Sequence, residues 1–186
     1  MLTVQTLNSA PTAAKPLMEG AQKKFGMVPN LLGVLANAPA VLEGYLTLSG
    51  IFDKTSFTPL ERQVVLMTSN FTNNCDYCMA AHTTIADMQN LDRSVIDAIR
   101  DDTPIADDKL EALRLLTADV VASRGYPKAA TIEAFISAGY KPEQVLEIIM
   151  GVALKVMSNY TNHVAETPVD AAFSANSWRK KGKSAA

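Results

Sequence analysis

The sequence predicts an all-α fold of about eight to ten helices. Three observations support this prediction: apolar residues recur at helical spacing, proline or capping residues precede many apolar segments, and glycines follow several of them. No segment shows convincing strand alternation. The chain has 186 residues, 48% of them apolar, and a net charge of -2. These values are typical of one soluble globular domain spanning residues 1–186.

Composition also narrows the function. The chain has no basic excess that would favour binding to nucleic acid. Its most apolar run, Ile148 to Met157, is too short to span a membrane and contains Lys155. The start, Met1 to Gln5, lacks the pattern of a signal peptide, so we expect a cytoplasmic protein. A reducing cytoplasm favours catalytic or metal-binding cysteines over a structural disulfide.

The first third of the chain predicts an N-terminal arm and three helices. Residues 1–13 are small and polar, which is typical of a loosely attached arm. The helices are expected from about Pro16 to Lys24, from Pro29 to before Pro39, and from Pro39 to about Phe52. Proline suits each start because the first turn of a helix has no internal partner for its N–H groups.

The fourth helix has the clearest start signal. Thr58 is placed as the N-cap, Pro59 as the first helical residue and Glu61 as the acidic partner of a capping box. This helix should run to about Phe71. The asparagines at 73 and 74 then break it, and the next helix begins at Cys75 and ends near Asn90.

Four more helices are expected in the second half. They run from Asp92 to Arg100, from Asp107 or Asp108 to Arg124, from Pro127 to Ala138, and from Pro142 to about Tyr160. The last of these is apolar on most faces, so it should lie in the middle of the bundle or at a subunit interface. Residues 174–186 form a basic tail that we expect to be solvated.

The fifth helix carries both cysteines of the chain and one of its two histidines. At 3.6 residues per turn, Cys75, Cys78 and His82 project from one helix face. Such thiols can close a disulfide on oxidation, and a nearby imidazole can exchange a proton with the nearer sulfur. This arrangement indicates a redox dithiol with its own base.

Three other interpretations of the cysteines remain open. They could fill the core, since cysteine is among the most buried residue types. Zinc could bind to Cys75, Cys78, His82 and His163, although the usual second ligand pair at short spacing is missing. A thioredoxin-like fold would need a strand before the helix, and none is predicted.

The start of the fifth helix also predicts thiol acidity. The helix dipole and free N–H groups at an N-terminus stabilise a thiolate. By this reasoning Cys75, and to a lesser degree Cys78, should be more acidic than a free cysteine.

Six residues before Cys75 have an echo late in the chain. Ser69 to Asn74 and Ser158 to His163 differ at two of six positions. Chance or shared helix-end chemistry can account for so short a similarity. If the echo reflects a duplication, then Asn159, Asn162 and His163 could face the thiols.

These motifs together resemble the alkyl hydroperoxidase D-like group of the carboxymuconolactone decarboxylase superfamily. The similarity covers about 30 residues, from Thr58-Pro59-Leu60-Glu61-Arg62-Gln63 through Asn74-Cys75-Asp76-Tyr77-Cys78-Met79-Ala80-Ala81-His82. Residues 155–170 are also similar to the corresponding region of such proteins. Decarboxylase members lack the cysteine pair, so its presence here argues against that branch.

The resemblance implies an all-helical fold, assembly into trimers or hexamers, and hydroperoxide reduction without haem, flavin or metal. Carried over by position, Cys78 would attack the peroxide and Cys75 would resolve the sulfenic acid as a disulfide. His82 would serve the proton relay. This assignment reverses the order of reactivity that the helix dipole suggests, and we follow the resemblance because Cys78 lies one turn from His82.

The sequence departs from the family at the acid of the relay. Members commonly have a glutamate twelve residues before the first cysteine, where this chain has Gln63. An amide cannot carry the proton under ordinary conditions. Glu61 lies about 200° around the helix from Gln63 and should point away from it. The relay is therefore rebuilt from Glu61 or His163, or it is weakened.

The leading hypothesis is a thiol-dependent hydroperoxide reductase that uses a small peroxide and a dithiol or thioredoxin-like reductant. The first alternative is a redox sensor or disulfide carrier, because Gln63 could slow peroxide reduction and leave thiol–disulfide exchange intact. The second alternative is a zinc-binding or purely oligomeric helical module.

Overall fold

The computed structural model describes residues 2–180. This part of the chain contains nine α-helices, two short 3-10 helices and no strand, which confirms the all-α prediction. The α-helices are Lys15–Phe25 (α1), Asn30–Leu35 (α2), Pro39–Phe52 (α3), Pro59–Thr72 (α4), Asp76–Met88 (α5), Arg93–Asp101 (α6), Asp108–Ala122 (α7), Ala129–Ser137 (α8) and Gln144–Ala165 (α9). The 3-10 helices are Thr12–Ala14 and Ala171–Asn176.

Local sequence signals account for most helix boundaries. Thr58 and Glu61 form the predicted capping box: Thr58 Oγ1 accepts from the Glu61 N–H at 3.2 Å, and Glu61 Oε2 accepts from the Thr58 N–H at 2.8 Å. Asp92 and Asp107 cap α6 and α7. By contrast α9 runs to Ala165 rather than Tyr160, because no glycine or proline lies between Tyr160 and Glu166, which ends the helix in a left-handed conformation.

The helices enclose two apolar cores. The larger core lies among α4, α6, α7 and α9 and includes Val65, Met67, Ile96, Leu113 and Ile148. The smaller core surrounds the cysteines and is formed by the N-terminal segment and α5, with Met18, Leu32, Leu42, Tyr77 and Phe173. The functional residues predicted on α5 therefore lie beneath the N-terminal helices.

Helix α9 packs against α2, α3, α4, α5 and α7, as expected for a central helix. Gly151 allows this close packing: a Cβ atom there would lie 2.7 Å from a methyl carbon of Val65 and 2.9 Å from the Phe52 ring. The next turns of α9 then bring its polar face, which includes the buried Lys155, Ser158 and Asn162, to α4 and α5.

Both terminal segments contact the bundle. In the N-terminal arm, the Gln5 N–H donates to the Gly33 carbonyl at 3.0 Å. The start of the basic tail is only partly solvated, contrary to expectation, because the Trp178 ring lies 5.6 Å from the Phe71 ring and its indole N–H donates to the Arg100 carbonyl at 2.9 Å. The rest of the tail, 181–186, lies outside the described residues.

The length and hydropathy of the helices bear on membrane association. Within residues 2–180, no helix combines the length and the apolar character needed to cross a bilayer.

Candidate active site

The cysteines lie where α4 turns back into α5. Asn74 adopts a left-handed backbone with φ of 59°, and the chain reverses there. Cys75 is the N-cap of α5, Cys78 lies in its first turn, and His82 follows one turn later. The helix therefore begins close to the predicted position. Both thiols are buried, with exposed fractions of 0% for Cys75 and 2% for Cys78.

Hydrogen-bond donors from α9 and from the neighbouring Cys75 are directed at Cys78. The side-chain amide of Asn162 donates to Cys78 Sγ at 3.1 Å and lies 4.0 Å from Cys75 Sγ. The Cys75 thiol also donates to the Cys78 sulfur. Donors of this kind stabilise a thiolate, so their placement favours ionisation of Cys78 over that of Cys75.

The pKa values of the two thiols move in opposite directions. Burial raises the pKa of Cys78, but the bond from Cys75, the positive charge of Lys155 and the amide donors outweigh it and lower that pKa to about 6. The bond to Cys78, together with burial, raises the pKa of Cys75 above its usual range. These directions favour Cys78 as the more acidic thiol, in contrast to the dipole-based prediction for Cys75, because the Asn162 donor and Lys155 stabilise a charge on Cys78.

His82 lies between Gln63 and Lys155. Its Nδ1 is 2.9 Å from Gln63 Oε1, and its Nε2 is 3.0 Å from Lys155 Nζ. An amide oxygen can only accept and an ammonium can only donate, so Nδ1 carries the hydrogen and Nε2 accepts from the lysine. Burial and the charge of Lys155 hold the pKa of His82 well below its usual range. His82 is therefore a neutral imidazole at physiological pH.

The two candidates for a replacement acid lie elsewhere. Glu61 is the partner in the capping box, and its Oε1 lies 3.6 Å from Lys109 Nζ. Burial opposes ionisation of Glu61, but the bonds from Thr58 and the nearby lysine lower its pKa. His163 is exposed and stacks against Tyr160 with ring centroids 6.5 Å apart. The structure thus brings neither Glu61 nor His163 to the cysteine pair.

The same placement bears on the zinc hypothesis. Because His163 points away, the proposed four-ligand set of Cys75, Cys78, His82 and His163 is not brought together. Within the described residues, no group of three or more histidine, cysteine, aspartate or glutamate side chains is arranged to hold a metal ion.

Asparagines link α9 to the cysteine turn. Asn159 donates to Asn70 Oδ1 at 2.9 Å, and Asn70 in turn donates to the Cys78 carbonyl at 3.3 Å. Asn73 donates to Asn159 Oδ1 at 2.9 Å. These contacts join the two echoed segments, since Asn70 and Asn73 of the first correspond to Asn159 and Asn162 of the second. The expectation that Asn159 and Asn162 face the thiols fits this geometry, whereas that for His163 does not.

Sequence reasoning assigned no role in the site to Lys155. It is 1% exposed and bonds to His82, and its charge acts on both cysteines. The available signal was a single charge inside the otherwise apolar run from Ile148 to Met157. Charged side chains are rarely buried without a partner, so that lysine already indicated a special environment.

Comparison with solved structures identifies the fold. An alkylhydroperoxidase AhpD core protein from Ralstonia eutropha JMP134, described as an uncharacterized peroxidase-related protein, has a TM-score of 0.77 and 21% identity over 91% of this chain and 92% of its own. An uncharacterized peroxidase-related protein from Silicibacter sp. TM1040 has a TM-score of 0.74 and 19% identity over 92% and 94% of the two chains. The chain therefore has the AhpD-core fold, as the sequence motifs predicted.

A third similar structure is the debrominase Bmp8. Its TM-score is 0.80, with 19% identity over 95% of each chain. A cysteine-to-alanine variant of Bmp8 is also similar, and it was solved in complex with 2,3,4-tribromopyrrole. Comparison of the sequence with protein-family models and with curated proteins finds no match. At such identities the likeness establishes the fold alone and not an activity or a substrate.

Proposed function

We propose that the protein is a thiol-dependent hydroperoxide reductase. The observation that carries this proposal is the buried Cys75–Cys78 pair, in which the Asn162 amide donates to Cys78 Sγ at 3.1 Å and lies 4.0 Å from Cys75 Sγ. The lowered pKa of Cys78 and the raised pKa of Cys75 support a nucleophile at Cys78 and a resolving thiol at Cys75. A nucleophilic thiolate and a resolving thiol are sufficient to reduce a hydroperoxide and close a disulfide without a cofactor. The AhpD-core fold of the peroxidase-related neighbours supports the same function.

The reaction proceeds in two steps. The Cys78 thiolate attacks one oxygen of the hydroperoxide, the O–O bond breaks, and the leaving oxygen takes a proton to become an alcohol. Cys78 is now a sulfenic acid. The Cys75 sulfur attacks it, an S–S bond forms, and the hydroxyl leaves with the Cys75 proton as water. An external dithiol, such as a thioredoxin-like protein, then reduces the disulfide.

Intact mass spectrometry tests this proposal directly. Reduced protein treated with one equivalent of an organic hydroperoxide should lose two hydrogens as the disulfide forms. Cys75→Ser should gain one oxygen on Cys78, and Cys78→Ser should remain unmodified. Continued peroxide turnover by Cys78→Ser would contradict the proposal, because Cys78 is the proposed nucleophile and the remaining thiol, Cys75, is assigned only to resolving its sulfenic acid.

Disulfide exchange without peroxide reduction is the second candidate. Two observations favour it: the relay acid is replaced by the amide of Gln63, and both thiols are enclosed. Such a protein would be oxidised quickly by a disulfide partner and slowly by any peroxide.

Tribromopyrrole should be tested in the same assay because of the structural likeness to Bmp8. Release of bromide together with disulfide formation would identify a dehalogenase instead.

The proposal also includes a cellular location and an oligomeric state. We place the protein in the reducing cytoplasm, where a dithiol reductant is available. We also expect a homo-oligomer, a trimer or hexamer. The exposed apolar side chains Leu146, Ile149 and Tyr160 on α9 support a subunit contact.

A further inference from the structure

Lys155 is a buried cation without a carboxylate partner. Its exposed fraction is 1%, and its Nζ bonds to the uncharged His82 Nε2 at 3.0 Å. Within residues 2–180, no aspartate or glutamate oxygen lies within 4.0 Å of this nitrogen. Burying an ammonium is costly unless a negative charge compensates it. The site must therefore supply that negative charge in another form.

The Cys78 thiolate is the group that can supply it. The ionisable groups that interact with Cys78 are Tyr45 from α3, Cys75 and Tyr77 at the start of α5, and Lys155 from α9. His82, which is bonded to Lys155, is uncharged. Burial raises the pKa of both tyrosines. The bond to Cys78, followed by burial, raises the pKa of Cys75, so all three groups stay protonated. The Asp170 carboxylate accepts from the Tyr77 hydroxyl and the Asn30 N–H rather than from Lys155. Among the groups that act on Cys78, Lys155 is the cation, and Cys78 itself is the thiol that can carry the compensating negative charge.

We propose that Lys155 is the charge partner of the Cys78 thiolate and the source of the proton that the leaving oxygen takes, while His82 holds the lysine in place. Only proton donation by Lys155 rests on the proposed peroxide chemistry; the charge pair does not. It reverses the roles expected from sequence, in which His82 moves the proton. It also explains how the site works with Gln63 where an acid was expected.

The proton balance of the first step follows from this arrangement. An ammonium has three N–H bonds, and one of them is donated to His82 Nε2. When the thiolate attacks and the O–O bond breaks, the leaving oxygen takes one of the other two protons and departs as an alcohol. Lys155 becomes a neutral amine as Cys78 loses its negative charge. The buried site stays electrically balanced, and the amine regains a proton from solvent before the next cycle.

The first test measures thiolate formation and requires no peroxide. The rate at which iodoacetamide alkylates Cys78 is followed against pH in the Cys75→Ser background, for Lys155→Met, Lys155→Gln and Lys155→Arg. Removing an adjacent opposite charge moves a pKa by about one to three units. The pH at which the alkylation rate is half-maximal, called the midpoint, should therefore rise by that amount in the two neutral variants. It should stay near its starting value in Lys155→Arg.

Lys109→Met is the matched control, since Lys109 pairs with Glu61 in the capping box and should leave the midpoint unchanged. Thermal unfolding of each variant shows whether it is folded. An unchanged midpoint in a folded neutral variant would overturn the charge pair.

The second test separates charge from proton donation. At a pH above the shifted midpoint, Lys155→Met has a full thiolate and should be alkylated as fast as the parent protein. Its oxidation by hydroperoxide should remain at least tenfold slower, because loss of a general acid costs about a hundredfold or more. Full recovery of the peroxide rate at that pH would overturn proton donation by Lys155. If the parent protein fails to react with peroxide while the alkylation midpoint still shifts, the charge pair stands and the proposed function fails.

Discussion

A single amide distinguishes two sulfurs that lie in the same helical turn. Asn162 Nδ2 is 3.1 Å from Cys78 Sγ and 4.0 Å from Cys75 Sγ. Asn162 Oδ1 is buried without a hydrogen-bond partner among residues 2–180, which is unfavourable by itself. The amide keeps this orientation because a bond to a charged acceptor is stronger than one between neutral groups. The unpaired oxygen is thus further support for a thiolate at Cys78.

Replacing Asn162 by alanine should make Cys78 a weaker acid. A hydrogen bond to a charged group contributes about 1.5–3 kcal/mol, so the pKa of about 6 should rise by roughly one to two units. The pH dependence of alkylation measures this change. Asn73→Ala is the matched control, because Asn73 bonds to Asn159 and donates to neither sulfur. An equal rise in both variants would indicate a general loss of structure rather than loss of the donor.

Gln63 and Glu61 offer a second pair of contrasting substitutions. Gln63→Glu would place a carboxylate beside the N–H of His82, and this added negative charge should raise the pKa of Cys78 by about one unit. Glu61→Gln should leave that pKa unchanged and lower the free energy of unfolding by about 1 kcal/mol through the weakened capping box. Alkylation profiles and urea unfolding measure the two effects. A change in the pKa of Cys78 in Glu61→Gln would contradict the prediction and show that Glu61 acts on the cysteine pair.

At the scale of elements, short-range signals predicted the helices and missed what joins them. Prolines and caps placed the starts of α3 and α4 correctly, because a cap acts within one turn. Contacts of the site span far more sequence: Lys155 is 73 residues from His82, and Asn162 is 84 residues from Cys78. Helical periodicity states which face of α9 is polar but not which helix that face meets. Only the packing of α9 on α4 and α5 reveals these two partners.

That packing depends on Gly151, so Gly151→Ala should disturb it. A new Cβ would lie 2.7 Å from Val65 and 2.9 Å from Phe52, and overpacking of this kind costs about 1–3 kcal/mol. Gly44→Ala is the matched control within α3, because nothing lies within 4 Å of its Cβ position. The control should be neutral or more stable by up to about 1 kcal/mol, since alanine favours a helix. Chemical unfolding curves measure both, and equal stabilities would refute the close approach.

At the scale of the molecule, the redox pair lies beneath a cover. The N–H of Leu31, in the first turn of α2, donates to the Tyr77 hydroxyl at 3.2 Å, and that hydroxyl donates to Asp170 Oδ2 at 2.6 Å. Asp170 Oδ1 also accepts from the Asn30 N–H at 3.1 Å. One carboxylate therefore joins the start of α2, the residue next to Cys78 and the segment after α9. With both thiols almost fully buried, we expect a bulky thiol reagent to reach them only when this cover opens.

Weakening the cover should expose the thiols without changing their chemistry. Asp170→Asn keeps the size of the side chain and removes the charge that strengthens its bonds to Tyr77 and Asn30, a loss of about 1.5–3 kcal/mol. Because 1.4 kcal/mol is a factor of ten in an opening equilibrium, a bulky aromatic disulfide reagent should react at least tenfold faster.

Asp119→Asn is the control for Asp170→Asn, since Asp119 accepts from the Lys128 N–H on the surface, far along the chain from the cysteines. The comparison is made at a pH where Cys78 is fully ionised, so that a change in rate reports access alone. If Asp170→Asn reacts at the parent rate, the thiols are reached by another route and α2 does not open. If it reacts faster with the bulky reagent and equally fast with peroxide, the cover selects the reductant while small substrates pass beneath it.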